Sequence, residues 1–189
     1  MIRAFLALPL PDALRDRLED VALDLGEGRP VAWENFHVTL AFLGELPGPA
    51  LEDAAWELDG LDAPAPRLVL DGLGVFGAQR PRSAHAVVRP DPALKTLRAK
   101  CREALRRGGL DLPHERFVPH VTLARFSARA PAGEGLARWL ARHAAFSAAP
   151  AEAPQAVLYR SRLGESGPHY DALMEIPLAA PPRPAEGPA

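Results

Sequence analysis

Several residue types are scarce in this sequence, and each scarcity removes a class of function. Cys101 is the one cysteine among 189 residues, so no disulfide can form within the chain and a cysteine-built zinc site is excluded. A reducing compartment suits such a chain, and a cytoplasmic location is expected. An excess of either charge is also missing: 22 Lys and Arg stand against 24 Asp and Glu, for a formal net charge of −2. Neutralising many phosphates takes a clear basic excess, which argues against a long nucleic-acid footprint. A site gripping one or two phosphates needs only local cations and stays open. Long hydrophobic runs are lacking too. The apolar stretch over 2–10 is interrupted by Arg3 and closed by Pro9 and Pro11. It is too short to cross a bilayer and has no small-residue cleavage site after a proper apolar region. A first strand is expected there, and no membrane partner.

What is present reads as a packed domain. Hydrophobic residues make up 48% and charged residues 24% of the chain, and this length buries a core without external staples. Period-two patterning predicts strands over 2–8, 37–43, 68–76, 84–89, 120–126, 156–162 and 170–176. Helical spacing predicts helices over 12–25, 49–58, 92–107 and 135–144. The third helix carries Leu94, Leu97, Cys101 and Leu105 on one stripe, opposite Lys95, Arg98, Arg102 and Arg106. The expected organisation is a single domain over 1–178 with a disordered tail over 179–189, where the sequence turns to Pro, Ala and Gly.

The informative feature is an internal echo. His37-Val38-Thr39-Leu40-Ala41 recurs as His120-Val121-Thr122-Leu123-Ala124. Each copy follows a turn-prone stretch and opens a hydrophobic strand, and each half of the chain reads strand, helix, strand. Two similar half-units packed about an approximate two-fold axis would bring the histidines face to face.

On a strand, residues two apart share a face. His37 and Thr39 therefore point one way, and strict alternation sends Val38, Leu40 and Phe42 to the core; His120 and Thr122 stand likewise against Val121 and Leu123. A buried polar residue in a sheet needs a partner, so presenting an imidazole beside a hydroxyl suggests a purpose beyond stability. Two imidazoles about one phosphate form an acid–base device, one accepting a proton while the other donates. The threonine hydroxyls can donate to non-bridging phosphate oxygens. A 2′,3′-cyclic phosphate is strained and activated, so it can open without a metal. Neither a metal nor a cofactor is expected: His114-Glu115 with His120 matches no common ligand spacing. His85, His114, His143 and His169 share no pattern and are read as surface or satisfied core histidines.

With these residues the chain resembles the 2H phosphoesterase superfamily, and within it the bacterial RNA 2′,3′-cyclic phosphodiesterases of the 2′-5′ RNA ligase family. The resemblance rests on RAFLALPL from Arg3, WENFHVTLAFLG from Trp33, LDGLGVFG from Leu70, FVPHVTLARF from Phe117, and LYRSRLG from Leu158 with Tyr170. It implies an α+β, bilobed, pseudo-two-fold fold, with two antiparallel sheets lining a central cleft and helices outside. A terminal lobe would hold both chain ends, and a transit lobe the middle. It also implies hydrolysis of terminal 2′,3′-cyclic phosphate to 2′-phosphate without a metal, with His37 as proton donor and His120 as proton acceptor. The same pair could also join such an end to a 5′-hydroxyl in a 2′-5′ linkage. The chemistry alone leaves the two histidine roles interchangeable.

The implied substrates are RNA 2′,3′-cyclic phosphate ends or nucleoside cyclic phosphates, handled by a monomer with no obligate protein partner. Alternatives are another small cyclic phosphate, or an RNA-end binding module without turnover. Thr39 and Thr122 would hold the phosphate, while Phe42 and Tyr159 are candidates to stack on a base. Arg125 is a candidate phosphate contact, although alternation puts it opposite His120 unless a bulge re-aims it. Two departures stand out. His85 occupies a strand where relatives often carry tryptophan, which bears on base preference. Arg160 replaces a common acidic residue and is expected to add phosphate attraction.

Overall fold

The alternating and helical patterns resolve into the elements they predict, with a few additions. The computed structural model describes residues 1–77, 79–164 and 167–180. The chain begins β1 (Ile2–Pro9), α1 (Asp12–Leu23), β2 (Arg29–Pro30), a 3-10 turn (Trp33–Asn35), β3 (His37–Leu46) and α2 (Gly48–Asp59). It continues β4 (Arg67–Leu68), β5 (Leu70–Phe76), β6 (Ser83–Val88) and α3 (Pro92–Arg107). The last elements are β7 (His120–Arg125), α4 (Glu134–Arg142), β8 (Ala151–Glu152), β9 (Gln155–Gly164) and β10 (Gly167–Pro177). The strand expected over 68–76 is two pieces, because β4 leaves the main sheet to pair with β8.

The helices form where stripe and cap agree. Asp91 accepts a hydrogen bond from the Leu94 backbone N–H at 2.8 Å and so caps α3. Leu94, Leu97, Cys101, Ala104 and Leu105 are then buried along one face. Trp139 ties α4 to α1 by donating its indole N–H to the Val21 carbonyl at 2.8 Å. These stripes join Leu6, Leu8, Val38, Leu40, Val121 and Leu123 in one hydrophobic cluster. Burying a large aliphatic side chain contributes about 1.5–3 kcal/mol, so this cluster is what holds the helices to the sheet.

The two expected sheets are two four-stranded halves that meet. One half runs β10-β9-β1-β3; in the other, β7 pairs β6 and β2, and β6 pairs β5. They touch through the antiparallel pair Val38↔Val121. Both chain-end strands lie in the first half, as a terminal lobe requires.

The echo in sequence is also an echo in register. Against β3, β1 pairs Pro9↔His37, Leu8↔Val38, Ala7↔Thr39, Leu6↔Ala41 and Phe5↔Phe42. Against β7, β6 pairs Val87↔His120, Ala86↔Val121, His85↔Thr122, Ala84↔Ala124 and Ser83↔Arg125. Each series skips one residue at the same place, Leu40 in one half and Leu123 in the other. That skip is a β-bulge, and it reverses the alternation beyond it.

Chain pairing continues to Ala179, whose N–H donates to the Ala63 carbonyl at 2.9 Å and whose carbonyl accepts from Ala65 at 2.7 Å. The backbone is thus held one residue past the boundary expected at 178. Ala180 is described and exposed, and the remainder of the expected tail, 181–189, lies outside the described residues.

Candidate active site

The Val38↔Val121 pair sets the geometry. Both valines are fully buried on the core side. Extending that antiparallel register by one residue puts His37 opposite Thr122 and Thr39 opposite His120, and cross-strand neighbours point to the same side. All four are half-buried and share the face away from the core.

Each imidazole is anchored in the same way. His37 Nδ1 lies 2.7 Å from the Asn35 carbonyl, and His120 Nδ1 lies 2.7 Å from the Val118 carbonyl. A carbonyl can only accept, so Nδ1 carries the proton and donates. Nε2 is then the nitrogen free to exchange a proton in both rings.

Burial disfavours the charged form of both rings. Burial pushes His37 down to about 4; the bond to Asn35 opposes the shift, while Arg125 and a charged His120 add to it. His120 is lowered first by burial, against the bond to Val118, and further by Arg125. Arg125 therefore acts on both imidazoles.

The bulges decide two other positions. Simple alternation expects Phe42 in the core and Arg125 on the side opposite His120. Both are exposed instead, Phe42 at 65%. After Leu40 and Leu123, Ala41 and Ala124 are buried in succession, and the next side chain emerges on the His–Thr face. The expectation of a core Phe42 is thus corrected. The condition attached to Arg125, a re-aiming bulge, is met.

The two halves dress this face differently. Around His37 gather Phe5 at 5.0 Å and Tyr170 at 5.4 Å between ring centroids. Tyr159 stacks on Phe5 at 5.2 Å, and Phe42 lies 6.3 Å from the same ring. Around His120 stand Phe76 at 4.7 Å and His85 at 5.3 Å.

His85 was read as an ordinary histidine, yet it is 5% exposed and sits directly across from Thr122. It stacks on Phe76 at 4.1 Å, and its Nδ1 has no hydrogen-bond partner among the described residues. Burial, and then His120, push it down to about 4. Gly74 makes room: a Cβ there would lie 2.7 Å from His85 Nε2. The signal for His85 was available, since it is a lone polar residue between Ala84 and Ala86 on an apolar strand. For Phe5 the pattern gave no such cue, because an aromatic in an N-terminal apolar strand reads as core.

Arg160 does not reach this face as a spare cation. Its Nε pairs with Asp171 at 3.0 Å, and Arg162 holds the same carboxylate at 2.6 Å. Among the described residues, no group of three or more His, Cys, Asp or Glu side chains could hold a metal ion. None of their helices is long and apolar enough to cross a membrane.

Known proteins resemble this chain in sequence and fold. A family profile described as the 2′-5′ RNA ligase superfamily matches residues 10–165. The chain is 33% identical over 187 residues to an RNA 2′,3′-cyclic phosphodiesterase of Geobacillus stearothermophilus, covering 94% of this chain and 58% of that protein. It therefore spans well under two thirds of that relative's length. An RNA 2′,3′-cyclic phosphodiesterase of Aeropyrum pernix is 30% identical over 171 residues, covering 88% of this chain and 94% of its own. The crystal structure of Escherichia coli LigT complexed with 3′-AMP superposes with a TM-score of 0.72 at 25% identity, covering 94% and 98% of the two chains.

Proposed function

From the premise that the chain belongs to the 2′-5′ RNA ligase superfamily, we propose that it hydrolyses the 2′,3′-cyclic phosphate at RNA ends to a 2′-phosphate, by two-histidine acid–base catalysis without a metal. One observation carries this reading: two His-x-Thr strands share one face about Val38↔Val121, each imidazole tied through Nδ1 with Nε2 left to exchange a proton.

The phosphate sits between the two halves. Thr39, Thr122 and Arg125 hold its non-bridging oxygens and stabilise the charge that grows as phosphorus becomes five-coordinate. His120 Nε2 takes a proton from water, whose oxygen attacks phosphorus. The bond to the 3′-oxygen breaks, and His37 Nε2 protonates that oxygen as it leaves. The 2′-phosphate remains. The terminal base rests against the aromatic half, on Phe42 and Tyr159. With a 5′-hydroxyl in place of water as the attacking group, the same steps form a 2′-5′ bond, and their reversal cleaves it back to the cyclic phosphate.

The donor must be protonated, yet both rings are pushed down. An anionic phosphate between them favours the imidazolium and restores the proton. The donor role for His37 rests on the family resemblance. A substrate with sulfur bridging at the 3′ position separates the roles, because thiolate leaves without a proton. It should rescue His37→Ala and not His120→Ala; the reverse pattern exchanges the assignments.

The activity itself is tested by incubating the protein, in EDTA, with an RNA ending in 2′,3′-cyclic phosphate. Appearance of a terminal 2′-phosphate supports the reading. A 3′-phosphate, or turnover only after a divalent ion is restored, overturns it.

A further inference from the structure

The cations of α3 have no part in the chemistry above, yet they flank a groove that leads into it. The groove, of about 390 Å³, opens at Thr39 and His120 and runs between β3, α3 and the loop over 112–118. Arg98 and Arg102 form its floor. Arg98 Nε donates to the Leu40 carbonyl at 3.2 Å, and its guanidinium lies 4.6 Å from the centre of the Phe117 ring. Arg102 donates to the Leu112 carbonyl at 2.6 Å and to the Pro113 carbonyl at 3.1 Å. These bonds clamp the loop beside the site, and a carbonyl does not neutralise a guanidinium, so both positive charges persist.

Arg116, on the loop itself, is exposed and makes no hydrogen bond or ion pair with the described residues. Glu115 is the one acidic lining residue. Three guanidiniums against one carboxylate is a local excess, in a chain whose net charge is −2. Apolar faces accompany it: Phe42 and Val118, 65% and 43% exposed, look into the groove. A second cavity of about 490 Å³ shares Arg98, Arg102, Glu115 and Phe117 and extends along α3 past Lys95. Arg106 at its edge is paired with Glu103 at 2.7 Å, and Asp111 also lines it, so the cationic excess belongs to the first groove. From Lys95 to Arg106 the helix rises about 16 Å.

We propose that this groove carries the RNA strand upstream of the cyclic phosphate, so that the preferred substrate is an oligonucleotide and not a free nucleotide. The proposal rests on the cyclic phosphodiesterase reading of the site. A cationic groove with apolar faces at intervals is how single strands are bound without sequence preference, backbone along the charges and bases on the faces. The groove starts where the scissile phosphate would lie, and its length suits a few nucleotides. A footprint that short is in keeping with the chain's lack of overall basic charge.

The test measures kcat/KM on a nucleoside 2′,3′-cyclic phosphate and on an oligoribonucleotide ending in 2′,3′-cyclic phosphate, for the wild type, Arg116→Ala and Arg116→Glu. The oligonucleotide should be preferred at least about tenfold, which is roughly one charge-assisted contact or one stacked base. Arg116→Ala should remove most of that preference, change the nucleoside rate less than about twofold, and lower the salt slope of the oligonucleotide KM by about 0.7. Equal kcat/KM on both substrates, or an equal loss on both in Arg116→Ala, overturns the proposal. If neither substrate turns over, the cyclic phosphodiesterase reading fails and the groove is judged by binding. A labelled oligoribonucleotide ending in 2′-phosphate should bind Arg116→Glu at least about tenfold more weakly than wild type, and unchanged binding overturns the proposal. Self-association of the wild type that Arg116→Glu abolishes would make a second copy of this chain the occupant, and that too overturns it.

Discussion

Phe42 and Arg125 occupy equivalent positions in the two halves of the molecule, each the fifth residue after its histidine and each brought to the cleft face by the same one-residue bulge. Their equivalence is positional and their chemistry is opposite. One half contributes an aromatic face, 6.3 Å from the Phe5 ring, and the other a cation that acts on both imidazoles. On the proposed reading, a two-fold frame serves a substrate with no two-fold symmetry, a base at one end and a phosphate at the other.

That asymmetry predicts different losses at the two positions. Arg125→Ala removes a charge-assisted contact of about 1.5–3 kcal/mol, so kcat/KM should fall about 10- to 100-fold on every cyclic phosphate substrate. Arg125→Lys should recover part of it. Phe42→Ala should instead raise KM and leave kcat within about threefold, with a smaller loss for weakly stacking bases. Kinetics of both variants on substrates of differing base check this, and matching losses would break the division between base side and phosphate side.

His85→Phe separates site from scaffold. The ring keeps its stacking on Phe76 while a buried, unpartnered Nδ1 disappears. Leaving such a group unpaired costs about 1–3 kcal/mol, so the variant should be more stable near neutral pH. It should also resist acid better. His85 is held at about 4 in the fold against 6.5 as its ordinary value, so the unfolded chain binds that proton first. The stabilisation from its neutral form is complete above pH 6.5 and is lost as pH falls toward 4. Denaturant melts between pH 4 and 7 should show a shallower slope for His85→Phe, and parallel slopes would refute the buried, neutral assignment.

The paired histidines predict a displacement between two pH profiles. Both rings are pushed down in the free protein, and kcat/KM reports that state. A bound anion raises both, and kcat reports the complex. Each profile should be bell-shaped, with the kcat bell at higher pH. Coincident bells would mean that the phosphate does not sit against these imidazoles.

Much of this was legible in the sequence because it is repetitive and local. The His-x-Thr echo, the strand pattern and the stripes of α1 and α3 need only period-two or period-3.6 reasoning, and the structure has them. Alternation misjudged Phe42 and left Arg125 hanging on a bulge, because one residue is inserted into β3 and into β7, and bulges have no composition signal in a run such as Thr-Leu-Ala. Phe5 joins the site through a strand paired far along the chain, which no local window contains, whereas His85 had a local cue in its place between Ala84 and Ala86. Arg160 was misread because its partner Asp171 sits across the β9–β10 hairpin.

The decisive measurement is kcat/KM for His37→Ala, His120→Ala and the double variant on an RNA ending in 2′,3′-cyclic phosphate, with folding verified by circular dichroism. Each single variant should lose about 100- to 10,000-fold. The double should lose far less than the product of the two, because a proton donor and acceptor serving one phosphorus act as a unit. Wild-type rates in either single variant, or losses that simply multiply, would contradict joint action of these two rings.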